Sequence, residues 1–349
     1  MKNKNAIIPE ILKDCDLKIR KDFAWGVNIH DSRYVTYPER NIEEMLLLSK
    51  RMGSRLLRIG MDKFEVMDKM VALSNAYEMD LMVCSYAGIR DSEENYNAEN
   101  VYKIFNEAAN RYNGKNGHGY VKYFQIDNEI DNYLLHESDV NYKKVVGNGS
   151  EPGQYEESML IRTAQRFKNA IKGVKNADTD AKVVINFCWE HYGMLEYMYR
   201  NGVEWDITGY DWYGDMALAY EASGLAPFAA ADVAHEKWGK DIIICETNHF
   251  SPTAIDEENP ESWNSLYKIM KEAYKKNFVK GCTFYELLDE ACFENDKYER
   301  EAHFGLIRAD KHGNIGEPKA VYKLFCEVLG GKNIQPIEWE KVKAEYNFE

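Results

Sequence analysis

Short apolar runs alternate along the chain with longer amphipathic stretches, between residues 22 and 331. Each run has the length of a buried strand, whereas the apolar positions of each longer stretch repeat at helical spacing. The pattern predicts strands at 22–29, 54–60, 80–86, 120–127, 181–187, 204–210, 241–247 and 279–288. It predicts helices at 41–53, 63–78, 98–114, 157–174, 193–202, 216–239, 261–277 and 318–331. Strands and helices in this alternation are typical of a closed (β/α)8 TIM barrel, an α/β fold.

The chain has no low-complexity linker and no shift in composition, which favours one domain over residues 1–349. The predicted barrel leaves two terminal extensions, about 1–20 and 332–349, which we expect to pack on its outside. Two connections, 130–155 and 290–304, exceed the usual length of a loop between a strand and a helix. Both follow predicted strands, so we expect both on the face where barrel active sites form.

The chain carries 58 acidic and 44 basic residues, a formal net charge of −14 at pH 7. Nucleic acids and anionic membranes require clustered Lys and Arg, so neither is an expected partner. No apolar run approaches the ~20 residues of a membrane span, and the N-terminal stretch lacks the apolar core of a signal peptide. We therefore expect a cytoplasmic protein, or a secreted one if a leader has been removed. The apolar pattern predicts no particular oligomeric state.

A carboxylate follows the fourth predicted strand in the sequence YFQIDNEIDNY, where Asn128 precedes Glu129. A second carboxylate, Glu246 in IIICETN, ends the seventh strand. Two carboxylates at one barrel mouth cleave a glycosidic bond, one as general acid and the other as nucleophile or base. A single glutamate at a strand end is more often a solvated rim residue. The interpretation therefore depends on the pairing of the two.

The chain resembles the clan A glycoside hydrolases, retaining enzymes with the acid/base on strand 4 and the nucleophile on strand 7. Their Asn-Glu pair is matched by Asn128 and Glu129, and their nucleophile by Glu246. Their arginine at the end of strand 2 is matched by Arg58 in LLRIG, and their strand 6 tyrosine by Tyr213 in DITGYDWYG. The segment HFGLIRADKHGNIGEPKAVY, after strand 8, is also similar to the closing segment of these enzymes.

The resemblance spans residues 23–329 and, within the clan, is greatest to the family 39-like and family 5-like branches. It implies a TIM barrel in which Glu246, steadied by the arginine and the tyrosine, attacks the anomeric carbon of a β-linked sugar. It also implies that Glu129 protonates the leaving oxygen and later deprotonates water. Asn128 would bind the 2-hydroxyl of the sugar.

Many relatives place a tryptophan beneath the sugar at the end of strand 8, whereas this chain reads CTFYELLDE there. The aromatic platform, which packs on the apolar C–H face of a sugar, would then come from Phe284, Tyr285, Trp189 or Trp212. Further candidates for sugar contacts are polar residues near strand ends: His30, Asn186, His249 and Glu286. Each of these is also compatible with an ordinary rim residue bonded to loop backbone.

Two other classes of protein fit the same pattern. A carbohydrate-binding barrel without catalysis would keep the fold, but the presence of both glutamates and Arg58 disfavours it. A metal-dependent barrel lyase or isomerase would need a cluster of strand-end carboxylates or histidines, and the histidines show no paired metal spacing. We therefore expect a carbohydrate substrate, no cofactor and no metal.

Overall fold

The structure, a computed structural model, describes residues 20–85, 97–135, 147–214, 216, 226, 228–248, 260–294 and 299–346, without the side chains of 260–265 and 300. Eight parallel strands, in chain order around the sheet, close into a barrel. They are β1 (Ala24–Ile29), β2 (Leu56–Gly60), β3 (Asp80–Ser85), β4 (Tyr123–Ile126), β5 (Lys182–Cys188), β6 (Ile207–Tyr213), β7 (Ile242–Asn248) and β8 (Val279–Phe284). Each overlaps a run predicted from the sequence, so the (β/α)8 TIM barrel is confirmed.

Helices alternate with the barrel strands as the apolar spacing predicts. In chain order they are α1 (Ile42–Met52), α2 (Phe64–Ala76), α3 (Ala98–Arg111), α4 (Asp131–Leu134), α5 (Glu157–Ala177), α6 (Tyr192–Arg200), α7 (Ala229–Trp238), α8 (Pro260–Lys275), α9 (Ala320–Val328) and α10 (Trp339–Tyr346). A short antiparallel pair, β9 (Ile307–Ala309) and β10 (Ile315–Pro318), separates β8 from α9 in the sequence. Within the described ranges, no helix is both long enough and apolar enough to cross a membrane.

The helix predicted at 216–239 begins later in the structure. Helix α7 begins at Ala229, directly after Phe228, whose φ of 63° is left-handed and interrupts helical geometry. Residues 217–225 of the predicted helix lie outside the described ranges. The expected apolar spacing thus holds for the second half of that stretch.

The strand predicted at 279–288 ends earlier, at Phe284. The regular ladder with β1 ends there, and the Glu286 N–H donates instead to Phe304 O at 3.4 Å. Apolar composition continues through Leu287 and Leu288, which are fully buried. Burial without strand geometry explains why the apolar run predicted a longer strand.

The register between β1 and β2 aligns two polar residues. Asn28 pairs with Arg58 across this ladder. Leu57 and Ile59 flank the arginine and are buried, since alternate residues of a strand point to opposite faces. The two polar side chains therefore emerge side by side, close to the carboxyl ends of their strands.

The chain divides into two compact units. The first comprises Met1–Leu81, Tyr213–Pro227 and Ile244–Glu349, and the second comprises Met82–Trp212 and Phe228–Ile243. In the first unit, α10 contacts α2, the Ile337 N–H donates to the Tyr77 hydroxyl at 2.9 Å, and Arg51 donates to Ile334 O at 3.0 Å. The N-terminal extension, through residue 19, lies outside the described ranges. A single catalytic domain over the whole chain stays a prediction.

Candidate active site

Glu246 lies near the end of β7, a strand whose seven residues are all buried. Its Oε1 accepts a hydrogen bond from Arg58 Nη1 at 2.8 Å. Its Oε2 accepts one from the Tyr213 hydroxyl at 2.6 Å. A guanidinium and a phenol on separate oxygens compensate the negative charge and fix the carboxylate plane. These are the two contacts that the resemblance implied.

Asn28 holds the arginine in place. Its Oδ1 accepts from Arg58 Nη1 at 2.8 Å, and its Nδ2 donates to Cys245 O at 3.0 Å and to Phe284 O at 3.1 Å. One side-chain amide therefore ties β1 to β7 and β8 while it orients the guanidinium. A polar residue near the end of β1 is the one signal of this role in the sequence.

Two further acids, Glu286 and Glu290, are buried after β8 in the same unit. The Tyr37 hydroxyl donates to Glu286 Oε2 at 2.5 Å, and His30 Nε2 lies 3.3 Å from that oxygen. The same nitrogen lies 4.0 Å from Glu290 Oε2 and 3.1 Å from the Tyr285 hydroxyl. We name His30, Glu286 and Glu290 the acid–histidine cluster.

Burial sets the protonation of this cluster. It raises the pKa of Glu290 to about 9 and that of Glu286 well above its usual range. It also lowers the pKa of His30. A low-dielectric environment disfavours the charged form of each group. Burial therefore favours the protonated form of both acids and the neutral form of the imidazole.

Tyr285 supplies the aromatic surface that follows β8. Its ring is partly exposed, with centroids 6.1 Å from Tyr213 and 5.7 Å from Phe304. Phe284, the other candidate at this position, is fully buried and stacks on Phe325 at 4.3 Å. Of the two, Tyr285 is the one with surface available to a sugar.

In the second unit, Glu129 follows β4 in a turn stabilised by amides. Its backbone N–H donates to Asn186 Oδ1 at 3.1 Å, and its Oε2 accepts from Asn132 Nδ2 at 3.4 Å. Asn186 Nδ2 donates to Asn128 Oδ1 at 2.8 Å and to Asp211 Oδ2 at 2.6 Å. Asn186 therefore fixes both members of the Asn-Glu pair. Asp211 had no signal in the sequence beyond its place on β6.

The backbone of this turn is strained. Asp127 and Glu129 have φ values of 57° and 46°, which cost a non-glycine residue roughly 1–3 kcal/mol each. Hydrogen bonds hold the conformation, since the Asp127 N–H donates to Ser85 O at 3.0 Å and Gln125 Nε2 donates to Asp127 O at 2.8 Å. Strain that the surroundings maintain in this way is concentrated at functional sites.

A buried group beside the turn links α4 to the end of β5. Asp131 Oδ2 lies 2.7 Å from His191 Nδ1 and accepts from the Cys188 N–H at 3.1 Å. The Tyr155 hydroxyl donates to His191 O at 3.0 Å. Burial, and then the Asp131 carboxylate, raise the pKa of the Cys188 thiol. The thiol therefore stays protonated, and the group serves to hold the segment that follows Glu129.

Two sets of side chains, each within one unit, bring three potential metal ligands together. They are Asp131, Cys188 and His191 in the second unit, and His30, Glu286 and Glu290 in the first. In each set, one ligand atom per residue lies within 4.8 Å of the others. Each set joins two residues that are close in sequence, Cys188 with His191 or Glu286 with Glu290, to one residue from a distant segment. The spacing of the close pair did not by itself predict either set.

Trp212 requires a correction, because it is not a sugar platform. Its side chain is fully buried and packs on Phe228, with ring centroids 5.1 Å apart. Successive strand residues point to opposite faces, and the next residue, Tyr213, is the one that reaches the β7 carboxylate. Trp189 is partly exposed and stays a candidate. His249 lies outside the described residues.

Three solved structures that are similar to this barrel are glycosidases. A hyperthermophilic β-glucosidase from Pyrococcus furiosus is 12% identical, with a TM-score of 0.63 over 95% of this chain and 98% of that one. A β-glucosidase from Thermotoga maritima is 13% identical, with a TM-score of 0.59 over 90% and 99%. A GH53 catalytic domain from Ignisphaera aggregans is 14% identical, with a TM-score of 0.56 over 89% and 97%. At these identities the likeness establishes the fold.

The closed barrel, together with a family match over more than half of the chain, defines a glycoside hydrolase of clan A. A family model described as glycosyl hydrolase family 53 matches residues 91–277, more than half of the chain. The protein belongs to that family. The narrower likeness to families 39 and 5 is not confirmed. A comparison with curated protein sequences found no match.

Proposed function

We propose that the protein is a retaining enzyme that cleaves a β-linked oligo- or polysaccharide by double displacement. The observation that carries this proposal is the Glu246 carboxylate, bonded at 2.8 Å to Arg58 and at 2.6 Å to Tyr213. A nucleophile must be charged and held in a reactive orientation, and these two contacts supply both conditions. Membership of a glycoside hydrolase family supports the reaction class.

The proposed reaction has two displacements at the anomeric carbon. Glu246 attacks that carbon while Glu129 gives a proton to the departing glycosidic oxygen, so a glycosyl-enzyme forms as the original C–O bond breaks. Glu129, now a carboxylate, then takes a proton from water, and the water oxygen displaces Glu246. Two inversions at one carbon retain the β configuration.

The amides around Glu129 have separate proposed roles. Asn128 Oδ1 accepts from Gln125 at 3.3 Å and from Asn186 at 2.8 Å, which fixes the orientation of the Asn128 amide. That amide would bind the sugar 2-hydroxyl, a bond that strengthens in the transition state. Asn186 acts through its two neighbours and is a positioning residue.

The remaining contacts would surround the sugar unit that reacts. Tyr285 and Trp189, both partly exposed, would offer aromatic faces to it. His30 and Glu286 would bind its hydroxyl groups from the first unit. A glycosyl-enzyme held by these contacts would expose its anomeric carbon to water.

Covalent trapping tests this function. We would incubate the protein with dinitrophenyl 2-deoxy-2-fluoro-β-glycosides of the gluco and galacto series and map the labelled peptide by mass spectrometry. We expect one sugar attached at Glu246. Glu246→Gln should lower hydrolysis of the matching non-fluorinated substrates by about 10⁴-fold or more and abolish the label.

A second variant and a control complete the experiment. Glu129→Gln should slow hydrolysis of alkyl glycosides by roughly 10²- to 10⁴-fold, the usual contribution of a general acid, while dinitrophenyl leaving groups need little protonation. Glu65→Gln, on the exposed face of α2, should match the wild type. Near-normal hydrolysis by Glu246→Gln would refute the assignment. Sugar binding without labelling would favour the inactive carbohydrate-binding barrel.

A further inference from the structure

A buried set of side chains in the second unit offers sulfur, nitrogen and oxygen as ligand atoms. We call Asp131, Cys188 and His191 the thiol–histidine set. Asp131 begins α4, Cys188 ends β5 and His191 directly precedes α6. Asp131 and Cys188 are fully buried, and His191 exposes 7% of its surface. One ligand atom from each residue lies within 4.8 Å of the others, so the fold brings together three groups of the kinds that bind transition metals.

The distances within the thiol–histidine set are close to those around a coordinated ion. Cys188 Sγ lies 3.4 Å from Asp131 Oδ2 and 3.8 Å from His191 Nδ1. Asp131 Oδ2 lies 2.7 Å from His191 Nδ1. Bonds of about 2.0–2.3 Å to a tetrahedral zinc ion separate its ligand atoms by roughly 3.3–3.6 Å. The two sulfur distances therefore fit, and the carboxylate and imidazole would have to separate by roughly 0.6 Å.

The Asp131 carboxylate is unevenly satisfied. Its Oδ2 accepts from the Cys188 N–H at 3.1 Å and contacts both other members of the set. Its Oδ1 is buried and has no hydrogen-bond partner among the residues that the structure describes. A buried polar atom without a partner is costly. A cation beside this carboxylate would compensate its charge and its second oxygen together.

The ligand atoms indicate zinc. Calcium and magnesium bind through oxygen, whereas thiolate and imidazole are ligands of zinc. Burial raises the pKa of the Cys188 thiol, but a thiol that coordinates a metal is deprotonated outright. A dication would then meet the thiolate of Cys188, the carboxylate of Asp131 and the neutral imidazole of His191. That complex carries no net charge, which is the form that a dry interior accommodates.

We propose that Asp131, Cys188 and His191 bind one structural zinc ion, and that this ion fixes the segment that carries Glu129. Asn132 connects the two places, because its Oδ1 accepts from Cys188 Sγ at 3.4 Å and its Nδ2 donates to Glu129 Oε2 at 3.4 Å. Once the thiol has lost its proton, Asn132 Oδ1 is free to take the fourth ligand position, which would hold the amide N–H toward the acid. The effect on Glu129 rests on the proposed function, whereas the zinc site does not.

Metal binding is tested first, on the full chain. We would purify the wild type without chelator from cells supplied with zinc and measure its metal content by plasma mass spectrometry. We would then remove the metal with dipicolinate and add Co²⁺. We expect one zinc ion per chain and, with cobalt, a sulfur-to-metal charge-transfer band in the near ultraviolet. The acid–histidine cluster contains no sulfur, so this band reports on a cysteine ligand.

Two variants and a control identify the ligands. Cys188→Ser and His191→Gln should each lose most of the bound zinc and the cobalt band, and His191→Gln serves if Cys188→Ser does not fold. Cys282→Ser, which removes another fully buried strand thiol, should bind zinc as the wild type does. A wild type without zinc would overturn the proposal. Equal zinc in the wild type and both ligand variants would also overturn it, since the ion would then be adventitious.

The choice of leaving group tests the effect on Glu129. Removal of zinc should lower kcat/KM for alkyl glycosides roughly 10- to 100-fold, as loss of groups that orient a site does. Dinitrophenyl glycosides should be affected much less, because they need little protonation. Added zinc should restore the activity, and Asn132→Ala should reproduce the loss while it retains zinc. Equal losses for both leaving groups would refute the connection to Glu129.

The zinc inference and the proposed function fail in different ways. If the fluorosugar labels Glu246 but the wild type binds no zinc, the inference fails alone. If zinc binds and depends on Cys188 and His191 while no sugar labels Glu246, the zinc site stands and the proposed function fails.

Discussion

Glu246 and the pair Glu286 and Glu290 are buried acids in the same unit, yet their surroundings differ. Glu246 has a guanidinium on one oxygen and a phenol on the other. The pair has one histidine, and burial raises the pKa of both acids. One residue type thus occurs in two environments: beside a guanidinium and a phenol at Glu246, and in a buried setting that favours the neutral acid at Glu286 and Glu290.

Glu129, in the second unit, shows a third environment. Its Oε2 accepts from the Asn132 amide, and its backbone is anchored by Asn186. An acid/base group must change protonation within each turnover, and neutral amides bind both forms of a carboxyl group. The differences among these acids suggest experiments that replace the acids or the residues that contact them.

Removal of the cation beside Glu246 should have the largest effect. Arg58→Met leaves a buried carboxylate opposite an apolar side chain, which favours its protonated, non-nucleophilic form. We expect kcat/KM to fall roughly 10²- to 10³-fold, comparable to loss of a strong electrostatic contact in an active site. Steady-state hydrolysis of a nitrophenyl glycoside measures this loss, and the rate of fluorosugar trapping should fall in parallel.

Two further variants serve as comparisons for Arg58→Met. Arg58→Lys keeps the charge but not the forked geometry that also reaches Asn28, so its activity should lie between those of Arg58→Met and the wild type. Arg200→Met changes an exposed arginine on α6 and should leave activity unchanged. If the fluorosugar traps Glu246 in Arg58→Met at the wild-type rate, the guanidinium does not support the proposed nucleophile.

The phenol should matter less than the cation. Tyr213→Phe removes one hydrogen bond of 2.6 Å to Glu246, and a bond to a charged group contributes about 1.5–3 kcal/mol. We expect kcat/KM to fall about 10- to 100-fold. Tyr322→Phe, which removes a hydroxyl bonded to Leu48 O on the helical layer, is the matched control. A larger loss in Tyr213→Phe than in Arg58→Met would reverse the ranking argued above.

The sequence was enough to predict the residues that contact Glu246, but not the residues that surround Glu286 and Glu290. Arg58 and Tyr213 stand at strand ends whose number in the barrel is readable from the apolar runs, so resemblance placed both beside Glu246. Tyr37 and Glu290 come from irregular connections with no repeating pattern. Whether these two residues lie close together depends on how the backbone turns after Phe284.

The fold was predictable to a similar degree. Apolar runs marked every barrel strand because a parallel sheet covered by helices is buried on both faces. They failed at Leu287 and Leu288, which are buried without belonging to β8. Aromatic character alone suggested Trp212 as a sugar platform, whereas its burial depends on strand alternation. Protonation states were unpredictable, because burial is a property of the folded chain.

The last effect concerns stability and not activity, and it follows from the raised pKa of Glu290. An unfolded glutamate ionises near pH 4.3, whereas Glu290 in the fold does so at about 9. Between these values the native state binds more protons than the unfolded state, so this group makes stability fall as pH rises, by up to ~1.4 kcal/mol per pH unit. Glutamine does not ionise, and Glu290→Gln should lack this slope.

The measurement is urea unfolding of wild type and Glu290→Gln at pH 5, 7 and 8.5. The stability of the variant relative to the wild type should grow across this series, and the two pH profiles should run parallel below pH 4. The titratable groups that face Glu290 or Glu286 are present in both proteins, so their contributions largely cancel; they are His30, Glu286, Tyr37, Tyr285 and Glu301. Glu65→Gln should track the wild type throughout. Parallel profiles from pH 5 to 8.5 would mean that Glu290 is already ionised in the native state and that burial does not raise its pKa.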